Sequence, residues 1–214
     1  MRRIAYLLLF LALIAIITVS PQLDQYLAML SYNPITNHFY GETQLWCKII
    51  YHSVNVAIAI LIFLPLVFLF LAYKIKSLSK TFAKRFAFIT YMSLIVGPVL
   101  IVNVGLKDHW GRARPNQVIR EHQTFTPLWQ YVANKPSNNS FPSGHASGGF
   151  FLGIPLLATR RKRLAISVSL LGGAFLGLVR LLQGGHYFSD ILMAGILVMA
   201  VGLIVTKLVE KIGW

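Results

Sequence analysis

Six long apolar stretches dominate this chain, at about 4–19, 54–73, 87–106, 143–159, 164–182 and 191–206. A helix needs roughly 20 apolar residues to cross the ~30 Å hydrocarbon layer of a membrane, where every backbone polar group must be bonded internally. The stretches therefore predict an all-α, polytopic membrane protein with six transmembrane helices, organised as one domain over 1–214. The chain is 56% hydrophobic and only 12% charged, about half the charged share of a soluble domain. That excludes a disordered chain, a coiled coil and an ordinary soluble enzyme. The formal net charge of +14 does not point to nucleic acid, because the basic residues punctuate apolar runs instead of forming one patch. Ile4–Val19 follows Arg2-Arg3 and is not followed by a small-residue cleavage site, so it reads as an uncleaved anchor. Pro65 and Gly97-Pro98 fall inside spans and predict kinks. Cys47 is the sole cysteine, which rules out an intrachain disulfide and predicts a small buried apolar side chain.

The distribution of Lys and Arg predicts orientation. One set of loops holds Arg2, Arg3, Lys74, Lys76, Lys80, Lys84, Arg85, Arg160, Arg161, Lys162, Arg163, Lys207 and Lys211. The alternate set holds only Lys48, Lys107, Arg112, Arg114, Arg120, Lys135 and Arg180. The positive-inside rule places the richer set, and both termini, in the cytoplasm. Most of the poorer set lies in the loop 107–140, held outside against the general bias. Binding an anion is the simplest purpose for it.

Three polar clusters then fall at that outer interface. Lys107 through Arg114-Pro115 follows the third span, Pro142-Ser143-Gly144-His145 opens the fourth, and Arg180, His186 and Asp190 lie between the fifth and sixth. Lys107, Arg114 and Arg180 are suited to surround a phosphoryl group. Ser143 and Gly144 begin a helix, whose free N–H groups and dipole favour an anion. His186 and Asp190 are one helical turn apart, a spacing that lets a carboxylate fix the imidazole tautomer and leave Nε2 as nucleophile. His145 is a second imidazole, placed to donate a proton. Taken singly, each residue has a plainer reading. Lys107 and Arg180 alone are snorkelling residues at helix ends. Arg112 and Arg114 alone are lipid-headgroup contacts, Gly144 is helix packing, His186 is an interfacial histidine and Asp190 is a helix cap. The functional reading rests on their coincidence on one face.

At these residues the sequence resembles the type 2 phosphatidic acid phosphatases, whose motifs are K-x6-R-P, P-S-G-H and S-R-x5-H-x3-D. Lys107 to Arg114-Pro115, Pro142 to His145, and Arg180, His186 and Asp190 match them in order and spacing. One position departs: Val179 stands where the family has Ser. The resemblance implies that His186 is the nucleophile, that Asp190 orients it, and that His145 protonates the leaving oxygen. It implies that Lys107, Arg114, Ser143, Gly144 and Arg180 bind phosphate, and that neither a metal nor another cofactor takes part. Arg112, two positions before Arg114, is placed to touch phosphate or a second headgroup charge, or to form a surface charge pair with Asp108. The implied partner is a lipid phosphate in the bilayer of a bacterial inner membrane, with the site periplasmic. Candidate substrates are lipid A phosphate, undecaprenyl pyrophosphate, phosphatidylglycerophosphate and phosphatidic acid. The Gly111-Arg112-Ala113-Arg114-Pro115 context leans towards lipid A 1-phosphatases. A lipid phosphotransferase is the alternative within the family, and an anion or proton transporter the alternative outside it. A vanadate haloperoxidase reading conflicts with six spans. The loop 116–140, with Phe125, Trp129 and Tyr131, reads as an interfacial lid or as an aromatic belt, and 22–31 as a short surface helix.

Overall fold

A computed structural model describes residues 19–133 and 139–213. The predicted span at 4–19 lies outside the described residues, apart from its last position. Among the described residues helix α1 covers 19–30 and takes in all but the last position of the predicted surface segment 22–31. Ser20, Asp24 and Ala28 recur every four positions and are buried, whereas Tyr26, Met29 and Leu30 are exposed, so one narrow face docks on the protein. A small antiparallel hairpin follows, β1 (Tyr32–Asn33) and β2 (His38–Phe39), with Tyr32 opposite Phe39.

Helix α2 spans Leu45–Lys74 and contains Pro65. Helix α3, Lys80–Leu94, runs directly into a π-helical stretch, Ile95–Lys107. Pro98 lies inside that stretch. It has no N–H to give the preceding turn, and a wider winding accommodates the loss. Asn103 Nδ2 donates to the Pro98 carbonyl at 2.7 Å. Helix α4 is Pro115–Arg120 and helix α5 is Gly144–Phe151. A 3-10 segment, Ile154–Thr159, leads to α6 (Lys162–Leu182) and α7 (Phe188–Lys211).

Among the described residues, four helical runs are long and apolar enough to cross a membrane: Leu45–Lys74, Lys80–Arg120, Lys162–Leu182 and Phe188–Lys211. They contain the predicted second, third, fifth and sixth spans. The fourth departs from expectation, because 143–159 is two short helices rather than one. Pro155 has no N–H for the Phe151 carbonyl, and Gly153 is pressed against the backbone of α6, so the α-helix ends at Phe151 and a 3-10 turn takes over at Ile154.

Helix α5 is the hub. A Cβ on Gly149 would lie 2.5 Å from the Gly172 carbonyl oxygen, so α5 and α6 cross at a distance only side-chain-free residues allow. Phe150 and Phe151 of α5 and Ile154 of the 3-10 segment join Ile191, Ala194, Val198, Val201 and Val205, a stripe of three- and four-residue spacing on α7. Phe86 and Ile89 of α3 belong to the same core. Cys47 is buried, as its apolar character predicts. The N-terminus of α5 is thereby fixed inside the bundle.

Candidate active site

The predicted site residues lie at helix ends. Lys107 closes the π-helical stretch, Arg180 is in the last turn of α6, and Asp190 is in the first turn of α7. Arg114 is the N-cap of α4, where Pro115 occupies the first helical position and loses no bond by lacking an N–H. Ser143 caps α5, its Oγ accepting from the Ala146 N–H at 3.3 Å. Its own N–H donates to the Asp190 carbonyl at 3.3 Å, tying α5 to α7.

His186 sits in the connection between α6 and α7, 1% exposed. The turn before it is held by the hairpin. Buried Phe39 packs on Gly184, whose φ of +62° suits only a residue without a side chain. His186 Nδ1 lies 2.6 Å from the Ser140 carbonyl. A carbonyl only accepts, so Nδ1 carries the proton and Nε2 keeps its lone pair. Nε2 is buried and has no hydrogen-bond partner among the described residues. Burial holds the imidazole far below its ordinary range, at about 3, reinforced by the charges of Arg180 and Arg114 and opposed by Asp190. The ring is therefore neutral at physiological pH.

The expected partner of Nδ1 needs correction. Asp190 Oδ2 is 3.7 Å from Nδ1, beyond hydrogen-bond reach, and the Ser140 carbonyl takes the proton instead. Asp190 accepts from Ser140 Oγ (2.5 Å), the Tyr187 N–H (2.9 Å) and Arg112 Nη1 (2.5 Å). It acts on the imidazole through its charge and through Ser140.

Arg112 also departs from expectation. It is fully buried, and its guanidinium is taken up by protein groups. Its Nη1 bonds Ser189 Oγ and Asp190, its Nη2 bonds Asp24 of α1 at 2.8 Å, and its Nε bonds the Thr126 carbonyl. Its guanidinium also lies over the Tyr187 ring, 4.3 Å from the centroid. Asp24 in turn accepts from the Ser189 N–H and Oγ. Arg112 is thus a buried clamp between α1 and α7. Sequence reasoning missed Asp24, Ser140, Ser189 and Tyr51. Asp24 did carry a signal, as an acid spaced four residues from Ser20 and Ala28 on an amphipathic helix.

The remaining cations converge. A Cβ on Gly144 would lie 3.3 Å from Lys107 Nζ and 2.9 Å from Asn103 Oδ1, so the missing side chain is what lets the lysine reach the N-terminus of α5. The charges of Arg180, Lys107 and Arg114 all act on His145. His145 stacks on Tyr51 at 4.1 Å, and the Arg180 guanidinium lies over the same ring, 4.9 Å from its centroid. Arg180 Nη1 bonds Gln183 at 2.6 Å. Neither Lys107 nor Arg180 forms an ion pair with a carboxylate among the described residues. The result is a cationic cradle with two imidazoles. A groove of about 270 Å³ leads away from Lys107, Gly144 and His145, past Asn55 and Asn103, to Val54, Ile58 and Val99. Among the described residues no three of His, Cys, Asp and Glu are placed to hold a metal ion. Phe125 packs edge-on against Tyr187, while Trp129 and Tyr131 are exposed.

The family model of the PAP2 superfamily matches residues 86–214. The chain is 42% identical over 120 residues to a lipid A 4'-phosphatase of Francisella tularensis subsp. novicida, covering 54% of each chain. It is 37% identical over 105 residues to a lipid A 4'-phosphatase of Rhizobium leguminosarum, covering 47% of this chain and 45% of the relative. It is 35% identical over 96 residues to a lipid A 1-phosphatase of Rhizobium etli, covering 44% and 38%. The matches span about half the length of these curated relatives, or less. No solved structure matches.

Proposed function

This chain belongs to the PAP2 superfamily, and from that premise we propose that it is a membrane lipid phosphatase working through a phosphohistidine on His186. The observation that carries the reading is the buried, unbonded Nε2 of a neutral imidazole beside the charges of Arg114 and Arg180. Phosphoryl transfer asks mainly for positioning and for charge opposite the equatorial oxygens. Lys107, Arg114, Arg180 and the free N–H groups at the start of α5 supply both. The Nε2 lone pair attacks phosphorus, the bond to the lipid oxygen breaks, and that oxygen takes a proton from His145. Water then adds to phosphorus and gives a proton to His145, the N–P bond breaks, and inorganic phosphate leaves. The Ser140 carbonyl and the Asp190 charge stabilise the positive imidazole in between. The arriving phosphate dianion brings the negative charge that lets His145 hold its proton among three cations.

The substrate proposed is a lipid A phosphate, supported by the named activities of the relatives. The groove beyond His145 is suited to the chains of such a lipid. The proposed setting is a bacterial inner membrane, with both termini cytoplasmic and the cradle on the periplasmic side, supported by the distribution of Lys and Arg. The test is phosphate release by the purified chain in detergent with excess chelator, using lipid A and the other three candidate lipids. Mass spectrometry of the product reports whether the 1 or the 4' phosphate is lost, and whether another lipid has accepted it. We expect release from lipid A without added metal, and a fall of roughly three orders of magnitude or more in His186→Ala. Full turnover in that variant, or restoration only by Mg²⁺, overturns the mechanism.

A further inference from the structure

The far end of the bundle carries a second basic cavity. It has a volume of about 590 Å³, and Ser79, Thr81, Arg85, Thr159, Arg160 and Arg161 line it. Phe82, Leu156 and Leu164 make its apolar wall. Three chain segments connect it to the cradle. Helix α3 starts here and its π-helical continuation ends at Lys107, α5 with its 3-10 extension starts at Gly144 and ends here, and α6 starts here and ends near Arg180. Arg85 and Lys107 are separated by a continuous helical run of about 30 Å, comparable to the hydrocarbon thickness of a bilayer. The two sites therefore address opposite membrane surfaces.

Charge at this end is unbalanced. Arg85 is 3% exposed and faces Glu210 at 3.6 Å. Lys162 shares the same carboxylate at 3.5 Å. The charge of Arg160 acts on Arg85 as well. Glu210 is the one acidic residue of this end, since the other five, Asp24, Glu42, Asp108, Glu121 and Asp190, belong to the cradle end. Three guanidinium groups, hydroxyls from Ser79, Thr81 and Thr159, and an apolar wall in one cavity match an anionic amphiphile better than a free ion.

We infer that this cavity binds the headgroup of an anionic membrane phospholipid, at a site separate from the catalytic one. The phosphate lies against Arg85, Arg160 and Arg161, and the first methylenes of the acyl chains lie along Phe82 and Leu164. The test is native mass spectrometry and thermal unfolding of the purified full chain in detergent, with phosphatidylglycerol, phosphatidylcholine or inorganic phosphate added. Phosphatidylglycerol is expected to be retained at least tenfold better than phosphatidylcholine and to raise the midpoint, with inorganic phosphate alone doing neither. The Arg160→Gln/Arg161→Gln double variant, or Arg161→Gln alone if the double variant does not fold, loses most of this preference. His186→Ala keeps it. Equal retention of the two lipids, the same stabilisation from phosphate alone, or an undiminished preference in the arginine variants overturns the proposal. Loss of the preference in His186→Ala does so too, by assigning it to the catalytic cradle.

Discussion

His186 takes up a proton in the folded protein only near pH 3, whereas an imidazole in an unfolded chain does so near 6.5. Between those values the unfolded chain binds more protons, so acid favours unfolding. The stability contributed by keeping His186 neutral is complete above about pH 6.5 and is lost as pH falls towards 3, by at most about 1.4 kcal/mol per unit. The thermal midpoint of the wild type is expected to drop between pH 7 and 5 by more than that of His186→Gln, measured side by side. Ser140 separates two roles of one residue. Ser140→Ala loses the Oγ bond to Asp190 but keeps the carbonyl that orients His186. It is expected to lower stability by about 1–2 kcal/mol while leaving the pH dependence of turnover in place. Arg112→Ala strands Asp24 and Asp190 in the interior. It is expected to destabilise by about 3–5 kcal/mol, measured by chemical or thermal unfolding, far more than loss of a surface phosphate contact. Lys107, Arg114, Arg180, His145 and His186 were legible in the sequence because residue type, spacing and alternating topology all pointed to one face. The bonding of Arg112 was not. Its partner Asp24 is 88 positions away, and no periodicity links them. The Ser140 carbonyl was equally silent, since every residue has one.

At the scale of elements, α5 decides how well the cradle is built. Gly144→Ala puts a Cβ against Asn103 Oδ1 and Lys107 Nζ at the surface of the groove. The expected result is a rise in KM of about tenfold with little change in unfolding, since the lysine head is displaced and the core is not. Gly149→Val acts at the other level. It forces α5 from α6 at their crossing and is expected to lower the thermal midpoint and the yield of folded protein together. Apolar composition located α2, α3, α6 and α7 well, because burying a helix in lipid or in a core demands the same residues. For the same reason it did not distinguish one fourth span from the two short helices 144–151 and 154–159. Gly153 and Pro155 were the available signal, and they mark the break.

The whole molecule is polarised, with the cradle and most acidic residues at one end and the arginine-rich connections at the other. That separation follows the alternation of richer and poorer basic loops along the sequence. Its orientation is testable in vesicles. In a Cys47→Ser background, Tyr131→Cys and Arg161→Cys, both at exposed positions, are expected to react with an impermeant thiol reagent from opposite sides. Labelling from the same side would refute the arrangement. The clamp on Arg112 has one more consequence. The family match begins at residue 86, yet the carboxylate of Asp190 is held by an arginine that also grips residue 24. The cradle is thus assembled from two stretches of polypeptide joined by the turn at 75–79. Expressed as separate fragments divided at that turn, neither half is expected to release phosphate, and recovery on mixing would report the reassembly of the contacts that Asp24, Phe39 and Tyr51 make across the divide.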